Sequence, residues 1–367
     1  MSAAFLIALL ASMLTAIVIV ATQRIHGHLT LDGHAGVQKL HAAPTPRVDG
    51  LALLAGFVIG GINLPEAQKW VWWLSCLAVC PAFLFGLAED VTKRVGVRTR
   101  LLATICAGLI FCLLTGYQIT RVDLPGADWL LSFWLPSHLF TAVAIGGIAN
   151  AINIIDGVNG LASGTSIIIL SGFAVVAAQV GDLEIVGLCL VGAGALAGFF
   201  FLNFPMGRLF LGDAGAYSTG FILAAIAVAL PERNPEVSPL IGLLALSYPV
   251  TETMVSIHRR LSREGTNPGQ ADRLHLHSLV YRSRAKRLAQ ILGMPQLRNS
   301  LTGLMLMGLP LLSSGLMVLT HDSTPATLAS ILCVSLVYLA IYRKVALLSR
   351  FGKLAREARR SLHATAR

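Results

Sequence analysis

Five polar clusters interrupt a chain otherwise made of long apolar runs, and their residue types are those of phosphate chemistry. Glu89 and Asp90 are adjacent and Lys93 follows three residues later, which puts acids and a base on one helix turn. Asn150, Asn153 and Asp156 recur at every third residue, a spacing that predicts a shared helix face. Asp156-Gly157 and Asn159-Gly160 then form turn signals directly after them. Asp213 stands in Leu211-Gly212-Asp213-Ala214-Gly215, where capping of the next helix is the plain alternative to chemistry. Lys39, His41 and Arg47 flank the rigid Pro44-Thr45-Pro46, and Asp272, Arg273, His275 and His277 lie together in a stretch rich in arginine.

Carboxylates with oxygen-rich neighbours suit Mg²⁺, with Mn²⁺ as a substitute, because such a hard cation takes one or two carboxylates plus substrate phosphates. Arginine, lysine and histidine converging on the same region suit anionic phosphate ligands. The combination describes phosphoryl-type transfer, in which catalysis is mostly positioning and charge neutralisation. Acids at the end of Glu89-Asp90's apolar span oppose the helix macrodipole, so a solvated helix end explains them poorly.

The elements that must position these groups are membrane helices. The chain is 55% hydrophobic and 13% charged, with mean hydropathy +0.72, far from a soluble domain. Spans of about 20 residues fit eleven apolar segments, near 3–21, 49–65, 69–88, 101–117, 138–155, 163–180, 185–202, 215–230, 238–257, 300–319 and 326–342. The expected fold is therefore all-α and polytopic, a single transmembrane domain over 1–342 with a basic tail over 343–367 lying on lipid as an interfacial helix. With the N-terminus outside, only Lys69, Arg121 and Arg233 of the 28 Lys and Arg fall outside. The positive-inside rule then puts the polar clusters at the cytoplasmic face. The net charge of +10 is read as a membrane-surface property and not as a nucleic-acid footprint, since no polar segment is large enough to present a basic face. The six cysteines all lie inside apolar runs, with neither a disulfide framework nor a zinc spacing.

Taken in order, Glu89-Asp90-Val91-Thr92-Lys93, Asn150-Ala151-Ile152-Asn153-Ile154-Ile155-Asp156-Gly157, Leu211-Gly212-Asp213-Ala214-Gly215 and Asp272-Arg273-Leu274-His275-Leu276-His277 resemble the successive cytoplasmic signatures of the polyprenyl-phosphate N-acetylhexosamine-1-phosphate transferases. The resemblance runs from about residue 37 to 280 and includes Lys39 and Arg47 in the first inside loop. It implies that undecaprenyl phosphate attacks a UDP-N-acetylhexosamine at a bacterial inner membrane, UMP leaves, and a surface polysaccharide such as O-antigen is started. It further implies Asp213 and Asp156 as Mg²⁺ ligands, Glu89 and Asp90 as the acidic pair acting on the lipid phosphate, Lys93 paired to a phosphate, and Asp156 as catalytic beside them. Asn150, Asn153, Asp156 and Asn159 would shape the nucleotide and metal region; Lys39, Arg47, Arg273, His275 and His277 would hold anionic substrate. A homodimer is compatible with the family.

Two positions depart from the family pattern. Glu89 stands where the pair is usually Asp-Asp, and Asn159 stands where Asp-Gly-x-Asp-Gly has its second aspartate, so Asn159 brings no carboxylate. An aspartate restored at 159 is expected to be tolerated or to alter turnover mildly. A transporter or lipid flippase is the competing reading, but it calls for charges near mid-span and the polar groups here gather at segment ends. The repeated aspartate pattern of a CDP-alcohol phosphatidyltransferase is absent.

Overall fold

The computed structural model describes residues 2–32, 45–262 and 274–365. Lys39, His41, Pro44 and Arg273 lie outside the described residues. In chain order the helices are α1 (Ser2–Ala21), α2 (Gln23–Thr30), α3 (Gly50–Ile62), α4 (Trp70–Ala78), α5 (Cys80–Thr92), α6 (Val97–Thr115), α7 (Pro125–Leu131), α8 (Trp134–Ile155) and α9 (Leu161–Gln179). They continue as α10 (Leu183–Asn203), α11 (Gly212–Arg233), α12 (Ile241–Ala245), α13 (Ser247–Leu261), α14 (Leu276–Val280), α15 (Lys286–Ile291), α16 (Arg298–Leu306), α17 (Gly308–Thr320) and α18 (Thr324–Thr365). A two-residue antiparallel ladder pairs β1 (Leu31–Asp32) with β2 (Thr45–Pro46).

Each of the eleven apolar segments is helical, and the protein is an all-α polytopic membrane protein. Among the described residues eight helical stretches are long and apolar enough to cross a membrane, one of them running through α16 and α17, and α4 with α5 makes a ninth bent by 43°. Proline explains the interruptions. A proline has no N–H for the carbonyl four residues back and crowds it, and Pro81, Pro249 and Pro310 each follow a break, at Val79, Leu246 and Met307. The segment expected at 238–257 is accordingly two helices, α12 and α13. No break separates the last span from the basic tail; α18 runs through both.

Where helices cross without side chains between them, the sequence has glycine. A Cβ on Gly194 would stand 2.5 Å from the Phe5 carbonyl, and one on Gly60 would stand 2.5 Å from the Ala8 Cβ. This small-residue seam brings α1, α3 and α10 together, since in lipid close packing must do what hydrophobicity does in water. At its centre α11 is buried along nearly its whole length, including Ala216, Phe221, Leu223 and Ile226. Glycine, alanine and serine around it let α3, α5 and α8 approach from different sides; a Cβ on Gly220, for example, would meet the Ala149 Cα at 2.5 Å.

The far end of α11 is clamped by charge. Arg233 donates to both oxygens of Asp182, at 2.6 Å from Nε and 3.0 Å from Nη2, and to the Tyr117 hydroxyl at 2.8 Å. Asn234 and the Ile185 amide also donate to Asp182. Burial alone would raise the Asp182 carboxyl, but the hydrogen bonds from Arg233 and Asn234 outweigh it and hold the group below its ordinary value. A carboxylate lowered on folding adds stability above the unfolded pKa of about 3.9 and loses it as pH falls through the folded value. We expect Asp182→Asn to cost about 1–3 kcal/mol. Melting curves in detergent should show the gap from wild type at pH 7 and its closure on acidification below the ordinary carboxylate range; a gap independent of pH would reject the clamp.

Candidate active site

The site begins with the start of α11. Gly212 takes a left-handed φ of 70°, which a side chain would strain, and a Cβ there would stand 2.1 Å from the Arg47 carbonyl. Asp90, 1% exposed on α5, accepts the Asp213 amide at 2.8 Å through one oxygen and the Ala214 amide at 2.9 Å through the other. A carboxylate from another helix thus satisfies amides that a helix start leaves without partners.

With its backbone held, Asp213 presents its carboxylate to three donors. Arg100 from α6 forms an ion pair with one oxygen. The other oxygen accepts from Asn153 at 3.1 Å and faces Arg47 at 3.5 Å. Arg47 is placed from two sides, because its amide donates to the Thr30 carbonyl at 3.1 Å while Phe210 donates to the neighbouring Pro46 carbonyl at 3.0 Å. Asp156 ends α8 beside this group. Loss of hydration pushes its carboxyl up to about 7, with Arg47 pulling it down and the Asp213 charge pushing it up.

A second cluster lies on the other side of the Asp156-Gly157 turn. His275 and His277 are stacked, with ring centroids 5.4 Å apart and planes 10° from parallel. Glu252, fully buried on α13, accepts from His275 Nδ1 at 2.9 Å, from the Leu276 amide and from the Tyr338 hydroxyl at 2.8 Å. Arg259 and Tyr342 both donate to the Leu274 carbonyl, so α13 and α18 together fix the start of the histidine segment. A Cβ on Gly157 would stand 2.3 Å from His277 Nε2. The two clusters meet there.

Arg47, Asp90, Asn153, Asp156 and Asp213 are therefore brought together, and His275 and His277 adjoin them through Gly157. Glu89 turns to the Val95 amide at 2.8 Å, closing the connection after α5, and Lys93 occupies the left-handed turn with φ 54°. Asn150 sits deeper, donating to the Thr104 hydroxyl at 2.9 Å and the Gly146 carbonyl at 2.8 Å, and it ties α8 to α6 without reaching Asp213. Three residues turn a helix by about 300°, so positions 150 and 156 end about 120° apart. Arg100 and Glu252 are site residues that the motif reading lacks. Glu252 had a signal, as an acid within the apolar stretch 238–257.

Asn159 has a scaffolding place. Its side-chain amide donates to the Pro205 carbonyl at 3.0 Å, its backbone amide to Asn299 at 2.6 Å, and Gly207 packs on its carboxamide. A carboxylate at 159 would set two acceptors against each other in a place only 8% exposed. We expect Asn159→Asp to destabilise by about 1–3 kcal/mol, read as a lower detergent melting temperature; melting unchanged from wild type would show that the amide bears no weight.

The acids and amides can also be tested for a metal. Asp213 and Asp156 supply hard oxygen donors of the kind Mg²⁺ prefers, and no group of three or more His, Cys, Asp or Glu able to hold an ion occurs among the described residues. The donor set fits a cation that takes one or two carboxylates and completes its shell with phosphate and water; Asp213 would then exchange its arginine partners for the ion.

The glycosyl transferase family 4 model matches residues 72–231. The chain is 27% identical over 274 residues to the probable undecaprenyl-phosphate N-acetylglucosaminyl 1-phosphate transferase of Bacillus subtilis (strain 168), spanning 74% of this chain and 75% of that protein. Against the undecaprenyl-phosphate alpha-N-acetylglucosaminyl 1-phosphate transferase of Yersinia pestis it is 24% identical over 255 residues, 67% of this chain and 68% of the relative. The phospho-N-acetylmuramoyl-pentapeptide-transferase of Streptococcus pneumoniae serotype 19F (strain G54) is 32% identical over 163 residues, 41% of this chain and 48% of that one. The matched stretch contains Asp90, Arg100, Asn153, Asp156 and Asp213, and over it the chain is similar to glycosyl transferase family 4.

Proposed function

We propose that the protein transfers an N-acetylhexosamine-1-phosphate from its UDP carrier to undecaprenyl phosphate, releasing UMP, at the cytoplasmic face of a bacterial inner membrane. The observation that carries this reading is Asp213, held at a helix start between Arg47 and Arg100 and beside Asn153 at one end of a membrane bundle. Two cations around one carboxylate leave positive charge for phosphates once the acid is shared with a metal. The relatives, named as undecaprenyl-phosphate sugar-1-phosphate transferases, support the same reaction class.

In this reading an oxygen of the lipid phosphate attacks the β-phosphorus of the UDP-sugar. That P–O bond forms as the bond from the β-phosphorus to the bridging oxygen breaks, and the electron pair leaves with UMP. Mg²⁺, or Mn²⁺ in its place, would supply charge neutralisation across the pyrophosphate, held by Asp213 and Asp156. Arg47 and Arg100 neutralise the phosphate oxygens, and Asn153 orients Asp213. An ionised lipid phosphate needs no strong base, and Asp90 already spends both oxygens on backbone amides, so Asp90 is a positioning residue. His275 and His277, set by Glu252, hold the pyrophosphate or sugar. The product would initiate a surface polysaccharide, of which O-antigen is one kind.

Membranes carrying the protein, given radiolabelled UDP-GlcNAc, undecaprenyl phosphate and Mg²⁺, should yield organic-phase label and UMP. Absence of lipid-linked label with every UDP-N-acetylhexosamine would reject the reaction. Asp213→Asn should lower kcat by about a hundredfold or more while the protein still inserts. Glu252→Gln should act mainly on KM for the UDP-sugar, raising it several-fold; a loss confined to kcat would place Glu252 in the chemistry instead.

A further inference from the structure

The backbone that carries Arg47 hangs from a chain of contacts that begins on α2. Helix α1 ends at Ala21, and the next amides turn away from it: Thr22 donates to the Val18 carbonyl at 2.9 Å, whereas Ile25 donates to the Thr22 carbonyl at 2.8 Å. The Ile19 carbonyl is thereby one of the acceptors that a helix end leaves over. His26, half-buried on α2, takes it through Nε2 at 3.0 Å, while its Nδ1 meets the Thr30 hydroxyl at 2.7 Å. A carbonyl only accepts, so Nε2 carries a proton and a neutral His26 accepts from Thr30. With a second proton Nδ1 would donate instead, and the Thr30 hydroxyl has the His26 carbonyl 3.2 Å away to turn to. Both contacts survive in either charge state.

Thr30 is the last residue of α2, and from it the contacts pass straight to the site. Its carbonyl accepts the Arg47 amide at 3.1 Å, and the ladder beyond it pairs Leu31 with Pro46 and Asp32 with Thr45. The Pro46 carbonyl accepts from Phe210, the Arg47 carbonyl lies against Gly212, and the Arg47 guanidinium stands 3.5 Å from Asp213. Helix α2 touches α1, α5 and β2 but has only eight residues, with Gln23, Arg24 and Ile25 exposed. A helix so short does not hold itself without tertiary partners. The bond from His26 to the end of a long membrane helix fixes where it points.

We propose that His26 is a positioning residue for the transfer reaction: it sets α2 against the end of α1 and, through Thr30, sets the Arg47 guanidinium where it meets phosphate beside Asp213. That role rests on Arg47 neutralising a substrate phosphate, as in the reaction proposed above. Loss of the bond returns the Ile19 carbonyl to an exposed helix end, where water replaces the imidazole, so the bundle keeps its stability. The effect falls on Arg47, because a displacement of about 1 Å near reacting groups can lower turnover by about a hundredfold.

The test uses the full-length protein in bilayers and three variants. His26→Leu keeps bulk and removes both bonds, His26→Gln has a carboxamide that can donate to Ile19 and accept from Thr30, and Thr30→Val removes the hydroxyl alone. His26→Leu should lower kcat/KM for the UDP-sugar about tenfold or more while melting as wild type, with Thr30→Val lowering it less and His26→Gln within about threefold of wild type. Hydrogen exchange in peptides covering Arg47 should be faster in His26→Leu, since its amide loses the hold of the Thr30 carbonyl. Wild-type kcat/KM in His26→Leu overturns the proposal, as does a loss that His26→Gln shares in full. Exchange that quickens at 22–25 and not at Arg47 also overturns it, being the mark of a histidine that only closes α1. Should His26→Leu fail to fold, Thr30→Val decides: unaltered kcat/KM with unaltered exchange at Arg47 overturns the proposal. No transfer by the wild type overturns the reaction and the part of His26 in it together, and exchange at Arg47, which needs no substrate, tells that outcome from failure of the anchor alone.

Discussion

The arrangement depends on a single carboxylate laid across the start of a helix. Asp90 takes the amides of Asp213 and Ala214 with its two oxygens, and in doing so couples α5 to α11 at a point where neither charge nor amide meets water. Such contacts are stronger in a low-dielectric interior, and an amide left bare there costs correspondingly more. The surroundings leave no freedom to substitute another arrangement: a Cβ on Gly86 would stand 2.6 Å from the Ala214 Cα, and one on Gly50 would reach the Ala214 side chain. Because the backbone at 213 is held by α5 and the loop carrying Arg47, the carboxylate above it can be shared among Arg47, Arg100 and Asn153 without its own position being in play.

That arrangement separates two kinds of acid. Asp90 is consumed by the scaffold, whereas Asp213 is bonded only by side chains that a bound phosphate or cation could draw away. The Asp156 carboxyl, pushed up to about 7, registers its loss of hydration first and the nearby Asp213 charge last. The same division holds among the asparagines. Asn153 orients Asp213, while Asn150 and Asn159 spend their amides on Thr104, Gly146 and Pro205.

Much of this was legible in the residues. Hydropathy located apolar segments that fold as helices, because length and apolarity are enough to detect one; it missed the interruptions before Pro81, Pro249 and Pro310, because proline breaks a ladder without ending an apolar run. Arg47, Asn153, Asp156 and Asp213 stood out as polar groups at segment ends. Arg100 did not, since a basic residue at a helix start serves the positive-inside pattern equally well whether it faces lipid headgroups or an aspartate. Glu252 hid in a span judged by its average. Asn150 was drawn into the site by a three-residue spacing that the 3.6-residue helix does not keep on one face, and the commitment of Asn159 to Pro205 depends on a loop more than forty residues away.

The contact between His277 and Gly157 joins the histidine segment to the turn that ends α8, beside the packing of α13 on α8. The glycine follows directly on Asp156, and the imidazole rests where any side chain at 157 would be. Since His277 is stacked on His275, which Glu252 holds, a displacement of the turn cannot be absorbed locally and must be passed to α13 and α18. If the histidine segment holds the sugar as proposed, changes that adapt it to a different one would move the acid cluster too, so substrate range in this scaffold would evolve by paired substitutions on both sides of that glycine and not by drift in either half alone.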